Sequence, residues 1–305
     1  QLECDMVLDF TIDDLEVQDP DPQALMDFVV KMEFRTLSKR LAEKLKVEAP
    51  VIAEPTVAVG VSDAPQAAAI DPSKYETIRD AAGLQVWIDR IYARGYVAVD
   101  TETTGLNEMR ADLVGVSLCV EAGEAAYLPL SHRAGQADDL FGTDALAEGQ
   151  MDQAAALVML KPMLEDSTIL KIGQNMKYDA KILARVGIQI APIDDTMLMS
   201  YAQNGGLHNH GMDFLSERYL DHVPISIKTL LGSGKSAITF DRVPIDEASR
   251  YAAEDADITL RLWQYLKPSL HRNKVTVVYE TLERPLVPVL VEMEMYGIKV
   301  DRDTL

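Results

Sequence analysis

Cysteine is nearly absent from this sequence, with only two residues among 305. Cys4 and Cys119 are far apart along the chain, so they provide neither a disulfide framework nor the ligands of a structural zinc site. There is no run of about 18 consecutive apolar residues, and no export signal is visible at the start. These absences argue against a disulfide scaffold and a transmembrane helix, and they favour a soluble protein of the reducing cytoplasm.

Basic residues are scarce as well. The chain has 29 Lys and Arg against 49 Asp and Glu, and its formal net charge is −20. Because nonspecific duplex binding depends on contacts between basic side chains and phosphates, this balance argues against a broad nucleic-acid surface. Any nucleic acid would be held locally by metal ions, by a few aromatic or basic contacts, or by another part of a longer protein. The sequence begins without Met and stops at Leu305 within a predicted element, so we expect a fragment.

Composition divides the chain into four segments. A helical pattern over residues 23–45 lies in a first segment, 1–45, that is too short to form a domain alone. Residues 46–74 are rich in Ala, Val and Pro and are predicted to be a flexible linker. Residues 75–272 alternate strand and helix patterns, which predicts a mixed α/β domain. The last segment, 273–305, opens with an amphipathic helical pattern.

Apolar periodicity and turn residues give a finer prediction for this α/β segment. Three antiparallel strands and a later short strand are predicted over residues 97–101, 113–120, 125–130 and 168–173. Helices are predicted over residues 79–94, 153–164, 178–186, 196–203, 212–220, 225–230 and 245–266, and a last one over 276–296.

An apolar run ends in two carboxylates in the stretch Y-V-A-V-D-T-E-T-T-G-L, residues 96–106. Successive strand residues point to opposite faces, so Asp100 and Glu102 are predicted to project from the same face. Two adjacent like charges disfavour each other's ionisation unless a cation lies between them. The stretch therefore predicts either a metal site at the tip of a buried strand or two solvated carboxylates.

Further acidic residues occur in G-Q-N-M-K-Y-D-A-K-I-L, residues 173–183, and in Y-A-A-E-D-A-D-I-T-L, residues 251–260. Asp179 is predicted to open a helix, where the helix dipole also favours a carboxylate for purely structural reasons. Tyr251 and Asp255 are four residues apart, so they share one helix face and form either a site or a half-buried Tyr beside an exposed Asp. Glu254 and Asp257 are expected to be solvated or to form ion pairs along the helix.

Two other motifs do not support a site. G-S-G-K-S at residues 232–236 lacks the first glycine of a phosphate-binding loop, because Thr229 occupies that position, so we predict a flexible loop. His208 and His210 form H-N-H, but no Cys or further His lies at a spacing suited to zinc. All five histidines, His132 and His222 included, are therefore predicted to be loop residues.

Taken together, the acidic motifs resemble the proofreading 3′-5′ exonuclease domains of bacterial family-A DNA polymerases, the DNA polymerase I family, in the branch with tyrosine in the third motif. V-A-V-D-T-E-T-T-G-L, G-Q-N-M-K-Y-D, D-T-M-L-M-S-Y and Y-A-A-E-D-A-D-I-T-L carry this resemblance. The flanking L-D-F-T-I-D-D-L-E-V is similar to the end of that family's 5′-nuclease domain. E-R-P-L-V-P-V-L-V-E-M-E-M-Y-G-I-K-V-D is similar to the entry to its polymerase domain.

The resemblance implies an α/β fold with a ribonuclease H-like mixed sheet, in which three antiparallel strands and parallel strands are flanked by helices. It implies that residues 1–45 are the C-terminal remnant of a 5′-nuclease domain and that residues 75–272 are the exonuclease domain. It also implies that residues 273–305 begin a polymerase domain whose own active site is absent from this chain. The implied setting is a bacterial cytoplasm, with a monomeric chain and the rest of the polymerase as its partner.

The resemblance also implies two Mg²⁺ or Mn²⁺ ions as cofactors. Asp100, Glu102 and Asp255 would hold the first ion. Asp100 would also contact the second ion, and Asp179 would reach that ion through water. Tyr251 would orient the attacking water with its hydroxyl group, since an unperturbed phenol has a pKa of about 10 and is a poor base near neutrality.

The implied substrate is a frayed, single-stranded 3′ end of DNA, held by stacking rather than by a basic groove. By the same resemblance, five residues would line that strand: Leu106, Gln174, Asn175, Tyr178 and Phe240. Two rival interpretations stay open, a ribonuclease D-like exoribonuclease and a catalytically silent domain that supports a polymerase.

Overall fold

The computed structural model of the chain describes residues 19–32, 34–47, 69–134, 145–234 and 237–304. Cys4, most of the predicted linker (residues 48–68) and part of the predicted loop at 232–236 lie outside the described residues. Contacts divide the chain into two compact units, residues 1–60 and residues 61–305. No helix within the described ranges is long and apolar enough to cross a membrane.

In residues 19–32 and 34–47, the described part of the first unit, there are two helices where the sequence predicted one. Helix α1 (Pro22–Lys31) is capped by Asp21, whose carboxylate accepts from the backbone N–H groups of the first turn. Helix α2 (Arg35–Leu45) follows after a short break. Phe34 has non-helical backbone angles there, and its ring packs edge-on against Phe28, so the prediction of one continuous helix over residues 23–45 is wrong.

The second unit is built on a six-stranded mixed sheet. Its strands are β1 (Glu76–Thr77), β2 (Tyr96–Thr103), β3 (Leu113–Glu121), β4 (Glu124–Pro129), β5 (Leu170–Gly173) and β6 (Ile193–Asp195). They lie in the order β1-β4-β3-β2-β5-β6. Strands β4, β3 and β2 are antiparallel neighbours, whereas β1 pairs with β4, β5 with β2, and β6 with β5 in parallel. The predicted mixed sheet is therefore confirmed, but β1 and β6 were not predicted.

The helices of this unit are α3 (Ala81–Arg94), α4 (Gln153–Glu165), α5 (Met176–Arg185), α6 (Thr196–Asn204), α7 (Met212–Leu220), α8 (Ile227–Leu231), α9 (Ile245–Arg272), α10 (Thr276–Val278) and α11 (Arg284–Tyr296). Helix α9 continues past the predicted end at Leu266. A π-helical turn, Tyr279–Glu283, joins α10 to α11 within the predicted last helix.

The two faces of the sheet are covered differently. Large apolar side chains of α3, α4 and α5 fill one face, where Val97 and Val99 of β2 are fully buried. On the other face, Ala98 packs against Ala253 and Ala256 of α9. Because these alanines are small, the long helix α9 lies close against the centre of the sheet. Alternation along β2 then places the side chains of residues 100 and 102 on the same face as Ala98, toward α9.

Helix α9 is also buried on sides that its amphipathic pattern did not indicate. Asp257 is fully buried and accepts hydrogen bonds from Tyr75 Oη (2.7 Å), Gly123 N (3.0 Å) and Arg261 Nε (2.8 Å). Glu254 is 1% exposed and accepts from the backbone N–H of Ile225 (2.7 Å). The expectation that these two acids are solvated is wrong, whereas the ion pair of Asp257 along the helix is confirmed.

Replacing Asp257 with alanine should destabilise the fold, because it removes the carboxylate that pairs with the buried Arg261. We expect Asp257→Ala to lower the free energy of unfolding by about 3 to 5 kcal/mol in urea denaturation. Asp89→Ala is the matched control, since Asp89 is exposed on α3 and accepts a hydrogen bond from the exposed Gln85; its effect should stay within about 0.5 kcal/mol. Equal effects of the two substitutions would contradict this role for Asp257.

Candidate active site

Three carboxylates meet where β2 passes beneath α9. Asp100 and Glu102 project from β2 and lie opposite Ser117 and Gly115 of β3, and Asp255 projects from α9. One carboxylate oxygen from each of the three acids lies within 4.8 Å of the other two. The predicted grouping of these residues is therefore present in the structure, and the two elements that carry them are held together by the alanine packing described above.

The carboxyl pKa values of these three acids are raised. Burial raises the pKa of Asp100 to about 6. The pKa of Glu102 is held well above its usual range by burial first and then by the charges of Asp100 and Asp255. Burial and the neighbouring Asp100 likewise raise the pKa of Asp255. Without a cation, ionising this cluster at neutral pH is therefore unfavourable.

The donor set fits a divalent metal ion. Glu102 is 8% exposed, and its Oε1 atom is buried without a hydrogen-bond partner among the described residues. A buried acceptor of this kind normally costs stability unless something binds it. Carboxylate oxygens with no Cys or His in the group are the ligands preferred by hard cations such as Mg²⁺ and Mn²⁺. The three acids can therefore hold a divalent cation.

Asp179 approaches the group from α5 in a different way. It is 2% exposed and accepts hydrogen bonds from Thr101 N (3.0 Å) and Thr101 Oγ1 (2.6 Å). Burial and the charge of Asp100 raise the pKa of Asp179 well above its usual value. Asp179 is not one of the three acids with mutually close oxygens, so Thr101 fixes it beside the group rather than within it.

The start of α5 depends on a residue that sequence reasoning missed. Asn175 adopts a left-handed backbone (φ 63°) and precedes the helix without a side-chain cap of its own. Asp195, at the end of β6, accepts instead from the N–H groups of Asn175 (3.2 Å) and Met176 (2.8 Å). An Asp immediately before the helical pattern of α6 is a capping signal, and Asp195 also caps that helix. The capping signal for α6 is visible in the sequence, but the hydrogen bonds from the start of α5 to Asp195 are not.

Tyr251 lies one turn before Asp255 on α9 and is half-buried. Burial and the charges of Asp255 and Glu102 raise the pKa of the Tyr251 hydroxyl above its ordinary value. The phenol therefore keeps its proton at neutral pH and acts there as a hydrogen-bonding group.

A set of packed rings supports Tyr251. Phe240 is 3% exposed, and its ring centre lies 5.9 Å from that of Tyr251 and 5.9 Å from that of His132. His132 Nε2 in turn bonds to the Tyr127 hydroxyl (2.9 Å), which occupies space left by the missing side chain of Gly115. His132 follows β4 outside any helix, as predicted, but it is buried. These ring contacts could not be predicted from the sequence, because Tyr127 and His132 are far along the chain from Phe240 and Tyr251.

The other predicted strand contacts fall into two places. Leu106 is 95% exposed in the loop after β2, and the Tyr178 hydroxyl donates to the carbonyl of the adjacent Gly105 (2.6 Å). Gln174, before α5, donates from Nε2 to the carbonyl of His210 (2.8 Å). The structure thus joins Tyr178 to Gly105, the residue before Leu106, puts Phe240 beside Tyr251, and turns the amide of Gln174 toward the loop before α7.

The order of this mixed sheet and its flanking helices define a ribonuclease H-like fold, which RNase D of Escherichia coli shares. A family described as 3′-5′ exonuclease matches residues 75–271. The chain belongs to this 3′-5′ exonuclease family.

Individual relatives agree with this family. DNA polymerase I of Rhizobium leguminosarum is 41% identical over the whole of this chain, which spans 36% of that protein's length. Among solved structures, the POL domain of Pol1 from M. smegmatis has a TM-score of 0.54 and 21% identity, covering 74% of this chain and 33% of that one. RNase D of Escherichia coli, an exoribonuclease, has a TM-score of 0.51 and 18% identity, covering 74% and 51%. At these identities, the two structures show similarity of fold alone.

The raised pKa of Asp100 predicts how stability depends on pH in EDTA. The carboxyl pKa is about 4 in an unfolded chain, and it is about 6 in the fold. Between these values the folded protein binds more protons than the unfolded protein, so the free energy of unfolding should fall as pH rises from about 4 to about 6. Asp100→Asn cannot titrate and should flatten this fall in urea denaturation at pH 4.5, 5.5 and 6.5. An unchanged slope in this variant would contradict the prediction.

Proposed function

We propose that this chain catalyses metal-dependent 3′-5′ hydrolysis of DNA as the proofreading exonuclease of a DNA polymerase I. The observation that carries the proposal is the convergence of Asp100, Glu102 and Asp255, with Tyr251 and Asp179 beside them, inside the region that matches the exonuclease family.

We assign two Mg²⁺ or Mn²⁺ ions to this group. Asp100, Glu102 and Asp255 would hold the first ion, and the Glu102 oxygen without a hydrogen-bond partner supports that assignment. Asp100 would be shared with the second ion. By the family resemblance, Asp179 would reach the second ion through water, with its Oδ1 atom held by Thr101 beside the group. When bound, the ions would supply the charge that activates a water molecule and neutralises the leaving 3′ oxygen.

The chain's own groups would position the reactants. Tyr251 keeps its proton at neutral pH and would orient the attacking water through its hydroxyl group, and the contact with Phe240 limits movement of its ring. Leu106 is exposed enough to contact the terminal base, and Tyr178 bonds through its hydroxyl to the carbonyl of the preceding Gly105. Gln174, Asn175 and Phe240 complete the proposed strand contacts. These contacts need few positive charges, which suits the net charge of −20.

The larger protein is also part of the proposal. The chain spans 36% of its R. leguminosarum relative. From the motifs and composition of its flanks, we assign residues 1–45 to the end of a 5′-nuclease domain and residues 46–74 to a linker. Residues 75–272 would be the exonuclease domain, and residues 273–305 would begin the polymerase domain. The partners would be the rest of that chain and a frayed 3′ end of DNA, with the protein acting as a monomer in a bacterial cytoplasm.

An exoribonuclease is the second candidate, because the fold is shared with RNase D. The two candidates differ in the sugar that they accept. Degradation of single-stranded DNA at a rate equal to or above that of the same RNA sequence supports the DNA exonuclease, and clear preference for RNA favours the rival. A silent supporting domain is disfavoured by the presence of all four acids.

A labelled primer with a mismatched 3′ end should be shortened from that end in Mg²⁺ and stay intact in EDTA. Asp179→Asn should reduce this shortening below about 3% of wild type, because a neutral amide lacks the negative charge that would hold the water on the second ion. The Asn oxygen can still accept from Thr101, so the fold should survive, whereas Asp179→Ala also removes that acceptor. Metal-independent shortening, or higher retained activity in the folded Asn variant, would contradict the proposal.

Removing only the hydroxyl of Tyr251 should have a smaller effect. Tyr251→Phe loses a hydrogen bond to the attacking water but no metal ligand, so we expect single-turnover rates to fall by about 10- to 100-fold. The Mg²⁺ concentration that gives half the maximal rate should be unchanged. A loss as complete as that of Asp179→Asn would show that the hydroxyl does more than orient water.

A further inference from the structure

Lys181 is a buried lysine that no motif of the active site explains. It is 2% exposed, and its ammonium group contacts Glu108 Oε1 at 2.7 Å and also Glu294. Glu108 belongs to the loop over residues 104–112, and Glu294 belongs to α11. Removing a lysine ammonium group from water is costly unless carboxylates compensate its charge. Lys181 therefore joins three separate parts of the chain at one point: α5, the 104–112 loop and α11.

One face of α5 contacts the 104–112 loop. Tyr178, Lys181 and Arg185 follow each other at spacings of three and four residues, which places them on the same side of the helix. Tyr178 donates to the carbonyl of Gly105 (2.6 Å), and Arg185 donates to the carbonyls of Glu108 (3.1 Å) and Ala111. The loop that presents Leu106 is therefore fixed along its length by a single helix.

The segment from α10 to α11 holds α5 in turn. Glu294 pairs with Lys177 (2.6 Å) as well as with Lys181. At the start of α5, Asp195 accepts from Met176, and the backbone N–H of Asp195 itself donates to the Tyr279 hydroxyl (2.8 Å). The π-helical turn thus supports Asp195, which holds the start of α5, and α11 contacts α5 directly through Glu294.

We propose that Lys181 is a positioning residue for the DNA strand. Glu294 pairs with Lys181, and through this ion pair α11 sets the position of the 104–112 loop. The inference rests on the proposed function, because it takes Leu106 and Tyr178 as strand contacts. Asp179 is oriented separately by Thr101 of β2. Loss of Lys181 should therefore weaken substrate binding and leave the carboxylates of the metal site in place.

The kinetic test uses the 305-residue chain, single-stranded DNA and saturating Mg²⁺. Lys181→Met keeps the length of the side chain and removes its charge, and it should raise KM at least about fivefold with kcat within about twofold of wild type. Lys181→Arg keeps the charge and should restore KM to within about twofold. Lys161→Met is the matched control, since Lys161 pairs with Glu165 on α4 at a more exposed position.

A second measurement is independent of activity. In hydrogen–deuterium exchange without metal, amides of residues 104–112 should exchange faster in Lys181→Met and in Glu294→Gln than in wild type, and at the wild-type rate in Lys161→Met. Because Lys181 and Glu294 act through one contact, the double variant Lys181→Met/Glu294→Gln should raise KM no further than Lys181→Met does. Glu294 is partly exposed, so Glu294→Gln provides a folded variant if Lys181→Met unfolds.

Each outcome decides the inference. Faster loop exchange together with a raised KM supports it. Wild-type exchange in Glu294→Gln and Lys181→Met, faster exchange with an unchanged KM, or a fall in kcat as large as the rise in KM overturns it. If the wild-type chain shows no Mg²⁺-dependent shortening of DNA, the proposed function fails; unchanged loop exchange in the variants would then separately refute the positioning contact.

Discussion

Repulsion among buried carboxylates is the constraint on which this structure depends. Burial raises the pKa values of Asp100, Glu102 and Asp255, and the charges of neighbouring acids raise those of Glu102 and Asp255 further. A fold gains nothing in stability from such a cluster, because uncompensated charges in a low-dielectric interior are costly. The rest of the domain therefore has to hold these carboxylates together against their mutual repulsion. A site preorganised for cations requires such a framework.

The contacts that hold this group of acids in place are mostly apolar. Ala98, Ala253 and Ala256 let α9 lie against the sheet, and the alternation of β2 turns its acids toward that helix. Polar contacts then fix individual groups: Thr101 orients Asp179, and Asp195 secures the start of α5. Packing thus determines which elements meet, while hydrogen bonds determine how the side chains point.

Sequence reasoning succeeded where one short-range rule was enough. The period of two in β2 paired Asp100 with Glu102, and the helical spacing of four paired Tyr251 with Asp255. It failed where burial came from distant segments. Asp257 was expected to be solvated or to form an ion pair along its helix; the pair with Arg261 is present, but the burial of Asp257 was missed because Tyr75 and Gly123 are far away in sequence. Strand β6, with three residues, is too short to show a period. The coordination roles and strand contacts stay predictions, since they depend on ions and DNA rather than on the chain alone.

The π-helical turn Tyr279–Glu283 has a consequence for the phase of the helix that follows. A π-helical turn closes its hydrogen bonds over five residues rather than four, so it takes up one more residue than an α-helical turn. Each residue advances the direction of side chains by about 100° around a helix axis. If the same residues formed an uninterrupted α-helix, the extra residue would rotate α11 by about 100°, and Glu294 would point away from Lys177 and Lys181. Deleting one residue from the turn would instead allow a regular α-helix with Glu294 in its present direction. The irregular turn thus acts as a spacer that keeps α11 in angular register with α5.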